Sequence, residues 1–223
     1  MLEDLKFSDE KLFLTNDKSI EKNLIYFVIK RLLDIIGSVI GLVIFSPIML
    51  IVAILIKATS DGPIIFYQRR VGFKGKEFKL YKFRSMINNA ETLLEGLMDK
   101  NEMSGPMFKL KEDPRVTNIG KFIRKTSIDE LPQLFNILKG EMSLVGPRPN
   151  LPREVVRFTA YQKQKLMVKP GLTCYWQVMG RNNIDFDDWI KLDIKYVKER
   201  NTIIDLKLIL LTLKVLFGDK NAR

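Results

Sequence analysis

Residues 35–56 read IIGSVIGLVIFSPIMLIVAILI and carry no charged side chain. As a straight helix these 22 residues would extend about 33 Å, close to the ~30 Å hydrocarbon core of a bilayer. The alternative is a buried helix of a soluble protein, but a domain of this size rarely buries so much continuous apolar surface. The sequence therefore predicts a membrane helix over residues 28–58, between a lead-in at 1–27 and a single domain at 59–223.

Ser46 and Pro47 interrupt this apolar stretch near its midpoint. Pro47 has no N–H to bond the carbonyl of Val43, and the Ser46 hydroxyl offers a replacement donor. The pair is compatible with a kinked helix that spans the membrane and with a break that returns the chain to its starting side. Residues 57–84 carry eight Lys or Arg against two acids, which places that flank in the cytoplasm. The stretch begins too late and is too long for a cleavable signal peptide.

The composition narrows the chemistry that this chain can perform. Its formal charge of +11 favours anionic partners such as a membrane surface, nucleic acid or a phosphorylated molecule. The chain has no histidine, which excludes His bases, His metal sites and Ser-His or Cys-His nucleophile pairs. The single cysteine, Cys174, excludes an internal disulfide and CxxC motifs. Any catalysis must therefore use carboxylates, lysines and arginines, together with a hard, oxygen-liganded cation.

The remaining patterns predict an α/β domain that is mainly helical. Two extended segments within residues 66–86 flank a glycine-containing turn and predict a short β-hairpin. Helical patterns cover residues 89–100, 128–138 and 186–200. Residues 203–217 are almost wholly apolar with two lysines on one side, which is typical of a helix at the membrane interface or of one docked on the core.

Asp129 and Glu130 are adjacent carboxylates on which the functional argument depends. Ser127-x-x-Glu130 matches the capping box of a helix start, and this structural interpretation is the alternative to a catalytic one. The surroundings favour chemistry, because Arg124 precedes the acids and Pro147-Arg148-Pro149 follows in a segment whose stiff prolines would fix an arginine. A carboxylate beside cations has its ionised form stabilised, and an ionised Asp can attack phosphorus.

Attack of a carboxylate on a diphosphate meets electrostatic repulsion, so such a site needs cations. Mg²⁺ suits the role because it accepts one or two carboxylates together with substrate phosphate oxygens. Lys82 and Arg181 are further candidates for phosphate contacts, although a lone basic residue is more often a solvated surface charge. The sequence contains the carboxylates and the basic residues of such a site, but it does not show whether they lie close together in the folded protein.

Several short motifs follow one another along the chain. They are KRLLD at 30–34, Ser46-Pro47, DGPIIFYQ at 61–68, FKLYKFRSM at 78–86, TSIDELPQ at 126–133, GEMSLVGPRP at 140–149, KPGLT at 169–173 and WQVMGRN at 176–182. In this order they resemble the bacterial monotopic phosphoglycosyl transferases, also called polyprenyl-phosphate sugar-1-phosphate transferases of the bacterial sugar transferase family. The resemblance covers about residues 28–218.

The resemblance implies an enzymatic function. It implies transfer of a sugar-1-phosphate from a UDP-sugar to undecaprenyl phosphate, with release of UMP, at the start of polysaccharide or glycoconjugate synthesis. Asp129 would be the nucleophile and a ligand of Mg²⁺, and Glu130 would complete the catalytic pair. Substrate-binding roles fall on Lys82, Arg124, Pro147, Arg148, Pro149 and Arg181.

The resemblance also implies a location and partners. The membrane helix would be re-entrant, broken at Ser46-Pro47, and the catalytic domain with its amphipathic interfacial helices would lie on the cytoplasmic face of the bacterial membrane. The expected partners are the UDP-sugar, undecaprenyl phosphate and membrane lipids. Nucleic acid is not expected, because the basic residues are dispersed and no nucleic-acid motif appears. A monomer and a homodimer both stay open, and Cys174 stands where many relatives have glycine.

Two other functions also fit the sequence. A membrane-anchored module without catalytic activity would use the basic surface to bind anionic lipid or nucleic acid. A Mg²⁺-dependent phosphatase would release the sugar-phosphate to water. Asp129→Asn separates the first alternative from a transferase, and product analysis with and without polyprenyl phosphate separates the second.

Overall fold

The computed structural model describes residues 24–102, 105–179 and 184–218, and within them the protein is mainly helical with two small two-stranded sheets. The α-helices are α1 (Leu24–Thr59), α2 (Asn118–Lys125), α3 (Gln133–Lys139), α4 (Pro152–Val155), α5 (Ala160–Lys163), α6 (Tyr175–Met179), α7 (Phe186–Glu199) and α8 (Thr202–Gly218). The 3₁₀ turns are Phe73–Gly75, Glu95–Lys100, Ile128–Glu130 and Gln164–Met167. The strands are β1 (Ile65–Val71), β2 (Glu77–Phe83), β3 (Ser143–Val145) and β4 (Gly171–Thr173).

The 36-residue helix α1 starts and ends slightly outside the predicted range 28–58 and contains Pro47 in its interior. The Ser46 hydroxyl donates a hydrogen bond of 2.9 Å to the carbonyl of Val43, which is the acceptor that Pro47 cannot bond. This confirms the role of Ser46 as a replacement donor. Ser46 and Pro47 lie within one helical element, and the re-entrant break stays a prediction.

The middle of α1 is exposed to an unusual degree for so apolar a helix. Among the described residues, α1 is the one helix long and apolar enough to cross a membrane, and only 11% of its most apolar window is buried. Val43, Ile44 and Leu50 expose 68%, 63% and 63% of their surface. A core helix of a soluble protein would cover such residues, so this exposure indicates that α1 associates with a membrane.

Polar side chains fix the N-terminal half of α1 on the rest of the protein. The Arg31 guanidinium donates to the carbonyls of Ile137 and Leu138, at 2.7 and 2.8 Å, where the end of α3 leaves carbonyls without helical partners. Asp34 is 4% exposed, and its carboxylate accepts a hydrogen bond of 2.8 Å from the Ser143 hydroxyl at the start of β3. The KRLLD motif is therefore an attachment between α1, α3 and β3.

The C-terminal half of α1 is attached to a different part of the domain. Val52 and Ile56 are buried against Phe83 of β2 and Ile123 of α2. The buried Arg84 guanidinium donates to the carbonyl of Ser60, just beyond the helix, at 2.7 Å. Both ends of α1 therefore contact the same domain.

Strands β1 and β2 form the predicted hairpin. They pair antiparallel from Ile65 opposite Phe83 to Val71 opposite Glu77. Lys74 and Gly75 in the turn have φ angles of 52° and 77°, and glycine adopts such a conformation at little cost. The predicted hairpin is confirmed.

Helix α3 is held to the hairpin by one buried side chain. Asn136 accepts a hydrogen bond of 3.0 Å from the Tyr81 N–H and donates one of 2.7 Å to the Lys79 carbonyl, both on β2. Because Asn136 is fully buried, these bonds satisfy polar atoms that would otherwise be costly. They also fix the adjoining residue of β2, Lys82, beside the turn that precedes α3.

Helices α7 and α8 complete the core. Trp189 and Tyr196 of α7 pack with Leu208 of α8, with Val145 of β3 and with Cys174, which directly follows β4. Along α8, Leu208 is 1% exposed, whereas Ile203 and Leu210 are 78% and 66% exposed, so one face docks on the core and the other is uncovered. The amphipathic helix predicted over 186–200 is confirmed.

The helix predicted over residues 89–100 is wrong. Residues 89–93 form turns, and only Glu95–Lys100 is helical, in the tighter 3₁₀ form. Asn89, the first residue of the predicted range, has a φ of 59°, a left-handed conformation that a right-handed α-helix does not contain.

Candidate active site

The two carboxylates lie on the short 3₁₀ turn Ile128–Glu130, between α2 and α3. Ser127 precedes this turn with a φ of 57° and makes no side-chain capping bond. The capping-box interpretation of Ser127-x-x-Glu130 is therefore wrong. Asp129 is 7% exposed and lines a large cleft, of about 2680 Å³, between the hairpin, α2 and the segment after β3.

Lys82 and Arg148 bring positive charge to the carboxylate pair. The Lys82 ammonium on β2 lies 2.7 Å from Glu130 Oε1 and 4.0 Å from Asp129 Oδ2. Arg148 Nη1 lies 3.5 Å from the same Glu130 oxygen. Lys82 lies 48 residues before Glu130 in the sequence and Arg148 lies 18 residues after it, and the structure brings all three together.

Burial decides the protonation of Asp129. Removal from water raises the pKa of this carboxyl to about 6, because an ionised carboxylate is poorly solvated in the cleft wall. The Lys82 ammonium lowers the pKa, the Glu130 charge raises it, and Arg124 and Arg148 lower it. The sequence led us to expect that neighbouring cations lower the pKa of Asp129, and this direction is wrong because burial raises it. Asp129 is still mostly ionised at neutral pH.

Arg124 approaches the site from the last turn of α2. Its Nε donates to the Ser85 hydroxyl at 2.8 Å, which fixes the guanidinium at the cleft, where its charge acts on Asp129. The close packing of Gly120 against Ser85 sets this approach, since a Cβ at Gly120 would lie 1.9 Å from the Ser85 carbonyl oxygen.

Arg148 is held in place through the prolines on either side. The Pro147 carbonyl accepts a hydrogen bond of 2.9 Å from the Gly171 N–H. The Pro149 carbonyl accepts one of 3.1 Å from Arg70. Both prolines are buried, so the segment presents Arg148 to the cleft from a rigid backbone.

Arg70 is a site residue that the sequence interpretation missed. Its guanidinium donates to the Pro149 carbonyl and, at 2.7 Å, to Gln68 Oε1. Burial lowers the pKa of Arg70 to about 10, and the neighbouring Arg148 charge lowers it as well. The available signal was the alternation along β1, which places Gln68 and Arg70 on one face of the strand.

The expected Mg²⁺ site stays a prediction. Among the described residues no three His, Cys, Asp or Glu side chains converge, so a metal ion would not find a complete protein cage. Asp129 and Glu130 instead provide two adjacent carboxylates, and the Lys82 ammonium already lies between them as a cation. This donor set fits Mg²⁺, which binds to one or two carboxylates and takes its other ligands from water and phosphate. Arg181 lies outside the described residues.

Comparison with known proteins gives an independent result. A family model described as "Bacterial sugar transferase" matches residues 25–219. The chain is 52% identical to the "Galactosyl transferase CpsE" of Streptococcus agalactiae over 199 residues, which are 89% of this chain and 44% of that protein. It is 44% identical to the "Undecaprenyl-phosphate galactose phosphotransferase" of Salmonella typhimurium over 214 residues, which are 94% of this chain and 44% of that protein.

A shorter relative is matched over most of its length. The chain is 37% identical over 188 residues to the "Exopolysaccharide production protein ExoY" of Sinorhizobium fredii, covering 82% of this chain and 83% of that protein. The chain spans about half the length of the first two relatives. The family model covers the membrane helix, the carboxylate turn and the segment around Arg148, and the chain belongs to the bacterial sugar transferase family.

Proposed function

We propose that this protein transfers a sugar-1-phosphate from a UDP-sugar to undecaprenyl phosphate and so initiates a polysaccharide or glycoconjugate. The observation that carries the proposal is the buried Asp129 carboxylate, which faces a cleft lined by Lys82, Arg124 and Arg148. A nucleophile among fixed cations suits attack on a diphosphate, whose charge must be compensated. Undecaprenyl phosphate in the name of one relative and galactose in the names of two support the substrate class.

The reaction would occur in two displacements at the same phosphorus. In the first, an Asp129 oxygen attacks the phosphorus next to the sugar, the bond to the bridging oxygen breaks, and UMP leaves with that electron pair. In the second, a phosphate oxygen of undecaprenyl phosphate attacks the aspartyl-phosphosugar, and the Asp129 carboxylate leaves unchanged. The product is a lipid-linked diphosphosugar, and no net proton transfer is needed when both phosphates are ionised.

The basic residues have separate tasks in this scheme. Lys82, 4.0 Å from Asp129, would neutralise the carboxylate in the resting state and the phosphoryl oxygens during transfer. Arg148, fixed by its flanking prolines, would hold the nucleotide diphosphate. Glu130 accepts from both cations and would keep them at the distance that the nucleophile requires.

Mg²⁺ would be held by Asp129, with Glu130 beside it, and by the substrate. When bound it would supply charge compensation for the diphosphate. The sharing of Lys82 between the two carboxylates shows that the turn accommodates a positive charge there.

The membrane helix would place this site at the bilayer surface. Both ends of α1 contact the catalytic domain, at Arg31 and Asp34 near the start and at Val52 and Ile56 near the end. A helix held to one domain at both ends favours the re-entrant arrangement over a span, with the exposed middle inserted in the cytoplasmic leaflet. The acceptor search is then confined to two dimensions.

UMP release tests the proposal. Detergent-solubilised protein is incubated with Mg²⁺, undecaprenyl phosphate and a panel of UDP-sugars led by UDP-galactose. We expect UMP from one donor, its loss in Asp129→Asn, and no change in Asp188→Asn, which alters an exposed acid on α7. UMP release by Asp129→Asn would exclude the covalent mechanism.

Product analysis separates the transferase from the two alternatives. A transferase yields a lipid-linked diphosphosugar only when undecaprenyl phosphate is present, whereas a phosphatase yields free sugar-phosphate without it. A protein that binds anionic vesicles but releases no UMP from any donor would instead be a membrane-binding module.

A further inference from the structure

An ion pair lies in the interior behind the cleft. The Lys165 ammonium, on the 3₁₀ turn Gln164–Met167, is 2.6 Å from Asp193 Oδ2 on α7, and the two side chains are 2% and 0% exposed. Among the described residues it is the most deeply buried ion pair. Neither residue reaches the carboxylate turn, so catalysis as described above leaves the pair unexplained.

Stability alone is a weak reason for such a pair. Removing two charges from water is costly, and well-packed apolar residues of similar size often stabilise a protein as much or more. A buried pair with this geometry is better explained by the neighbours that it orients. Its contacts lead towards Arg148 by two routes.

The first route is polar and passes through Asn150, two residues after Arg148. The Lys165 ammonium donates to Asn150 Oδ1 at 2.7 Å. Asn150 is 1% exposed, its amide nitrogen donates to Glu154 Oε2 at 2.9 Å, and its carbonyl accepts from the Val71 N–H at 2.9 Å. The residue that follows Pro147-Arg148-Pro149 is therefore fixed on three sides.

The second route is aromatic. The Lys165 ammonium lies 5.9 Å from the ring centre of Trp189, one turn before Asp193 on α7. Trp189 packs on Trp176 with ring centres 4.3 Å apart, and the guanidinium carbon of Arg148 lies 5.8 Å from the Trp176 ring. The ion pair thus fixes the backbone after Arg148 and supports the aromatic surface on which its guanidinium rests.

We propose that Lys165 and Asp193 are positioning residues that hold Arg148 at the angle needed to bind the diphosphate of the nucleotide-sugar donor. This inference rests on the proposed function, because it assigns the donor to Arg148. Both routes run from Lys165 to the surroundings of Arg148, so we expect loss of the pair to impair donor binding and to leave the binding of the lipid acceptor unchanged.

The first test replaces the whole pair, because removing one partner would leave a buried charge. Lys165→Met/Asp193→Leu is compared with Lys191→Met/Asp188→Leu, an exposed pair on the same helix α7 with a 2.8 Å contact. We expect the buried replacement to remain folded, to raise the donor KM about 10- to 100-fold and to leave the KM for undecaprenyl phosphate unchanged. The exposed replacement should match the wild type. An unchanged donor KM in the folded buried variant would overturn the proposal.

A double-mutant cycle shows whether the effect passes through Arg148. In an Arg148→Ala background we expect the buried replacement to lower kcat/KM less than about threefold further, because the group that it positions is absent. If the buried replacement lowers kcat/KM by the same factor with and without Arg148, the pair acts independently of Arg148 and the proposal is overturned. If the pair variant does not fold, Asn150→Ala cuts the polar route while keeping the ion pair, and it must raise the donor KM for the proposal to stand.

Failure of the positioning role differs from failure of the proposed function. Wild-type protein that releases no UMP contradicts the function itself, whereas active wild type with an equally active pair variant contradicts the positioning alone. The chain has two tryptophans, Trp176 and Trp189, so intrinsic fluorescence reports on the stack without any turnover. We expect its emission to change in the buried replacement and to stay unchanged in the exposed one.

Discussion

Asp129 is surrounded by cations, yet burial raises its pKa to about 6. The Lys82 ammonium is 4.0 Å from Asp129 Oδ2. At this distance its attraction does not fully compensate for the hydration that the carboxylate loses on burial. Glu130 competes for the same ammonium at 2.7 Å and adds a negative charge of its own. A carboxylate with a raised pKa is a stronger nucleophile once it is ionised, which suits attack on phosphorus.

The first prediction concerns the pH dependence of the initial displacement. In the proposed mechanism Asp129 attacks only when it is ionised, so donor-dependent UMP release should fall about tenfold per pH unit below pH 6 and level off above it. Lys82→Met removes the largest influence that lowers this pKa, so the inflection should move to higher pH. Stopped-flow or quench-flow measurement of the first turnover would check both results. An inflection near pH 4, or one indifferent to Lys82→Met, would contradict the argument.

The second prediction concerns stability. The folded state holds the Asp129 proton more tightly than the unfolded state, whose pKa is near 3.8, so ionisation between these values destabilises the fold as pH rises. Asp129→Asn lacks this cost and should be more stable than the wild type at pH 7.5 by about 3 kcal/mol. The advantage should shrink at pH 5. Thermal unfolding at both pH values measures it, with the exposed Asp188→Asn expected to show no difference.

The motif around Asp129 predicts a nucleophile, but contacts between distant parts of the chain define the surroundings of this carboxylate. The order of motifs was enough to select Asp129, Glu130, Lys82 and Arg148. The same motifs gave no sign that the Ser127 side chain makes no helix-capping bond, because the left-handed φ of 57° at this residue is not encoded in the motif. Nor could spacing show that burial would outweigh the charge of Lys82, since burial is a property of the assembled cleft.

At the scale of elements, the contact between α2 and the end of β2 controls Arg124. A Cβ at Gly120 would meet the Ser85 carbonyl oxygen at 1.9 Å, and Ser85 is the residue whose hydroxyl binds Arg124. A Cβ at Gly120 would meet backbone atoms of Ser85, so no flexible side chain could move aside to make room for it. Glycine is therefore required here for close approach, and the approach places a cation at the cleft.

Gly120→Ala should separate α2 from β2. We expect a loss of about 1–3 kcal/mol in unfolding free energy and a fall in UMP release larger than that stability loss explains, because Arg124 moves with the helix. Gly96→Ala is the matched control, since a Cβ there would meet nothing within 4 Å. Thermal unfolding and the transferase assay are run on both variants. Equal behaviour of the two would show that the contact is not tight.

Local patterns predicted some elements and misjudged others for physical reasons. The hairpin was predictable because two extended runs and a glycine turn agree with each other. Residues 89–100 have helical composition, yet Asn89 is left-handed and the chain after Leu94 adopts 3₁₀ geometry, so helix propensity alone does not determine the structure of this segment. The pairing of β3 with β4 and the Lys165–Asp193 contact join residues 28 positions apart, which no local pattern encodes.

At the scale of the whole molecule, the attachment of α1 bears on its orientation. The helix would be about 54 Å long if straight, well beyond the ~30 Å hydrocarbon core. Arg31 and Asp34 near its start and Ile56 near its end all contact the domain that carries Asp129. A span would put one of these attachments on the far side of the membrane, away from its partners.

The final prediction follows from this attachment and concerns topology. Because the polar contacts of Arg31 and Asp34 and the apolar contact of Ile56 are made with one domain, residue 1 and residue 223 should both be accessible only from the cytoplasm. The single cysteine, Cys174, is fully buried, so Cys174→Ser provides a background for new cysteines placed at either end. An impermeant thiol reagent should label neither end in intact cells and both ends in inverted vesicles. A cysteine at the 68%-exposed Val43 should resist labelling from either side, because the middle of α1 would lie in lipid. Labelling of residue 1 in intact cells would require α1 to cross the membrane, and the contacts of its N-terminal half would then have to be absent in the cell.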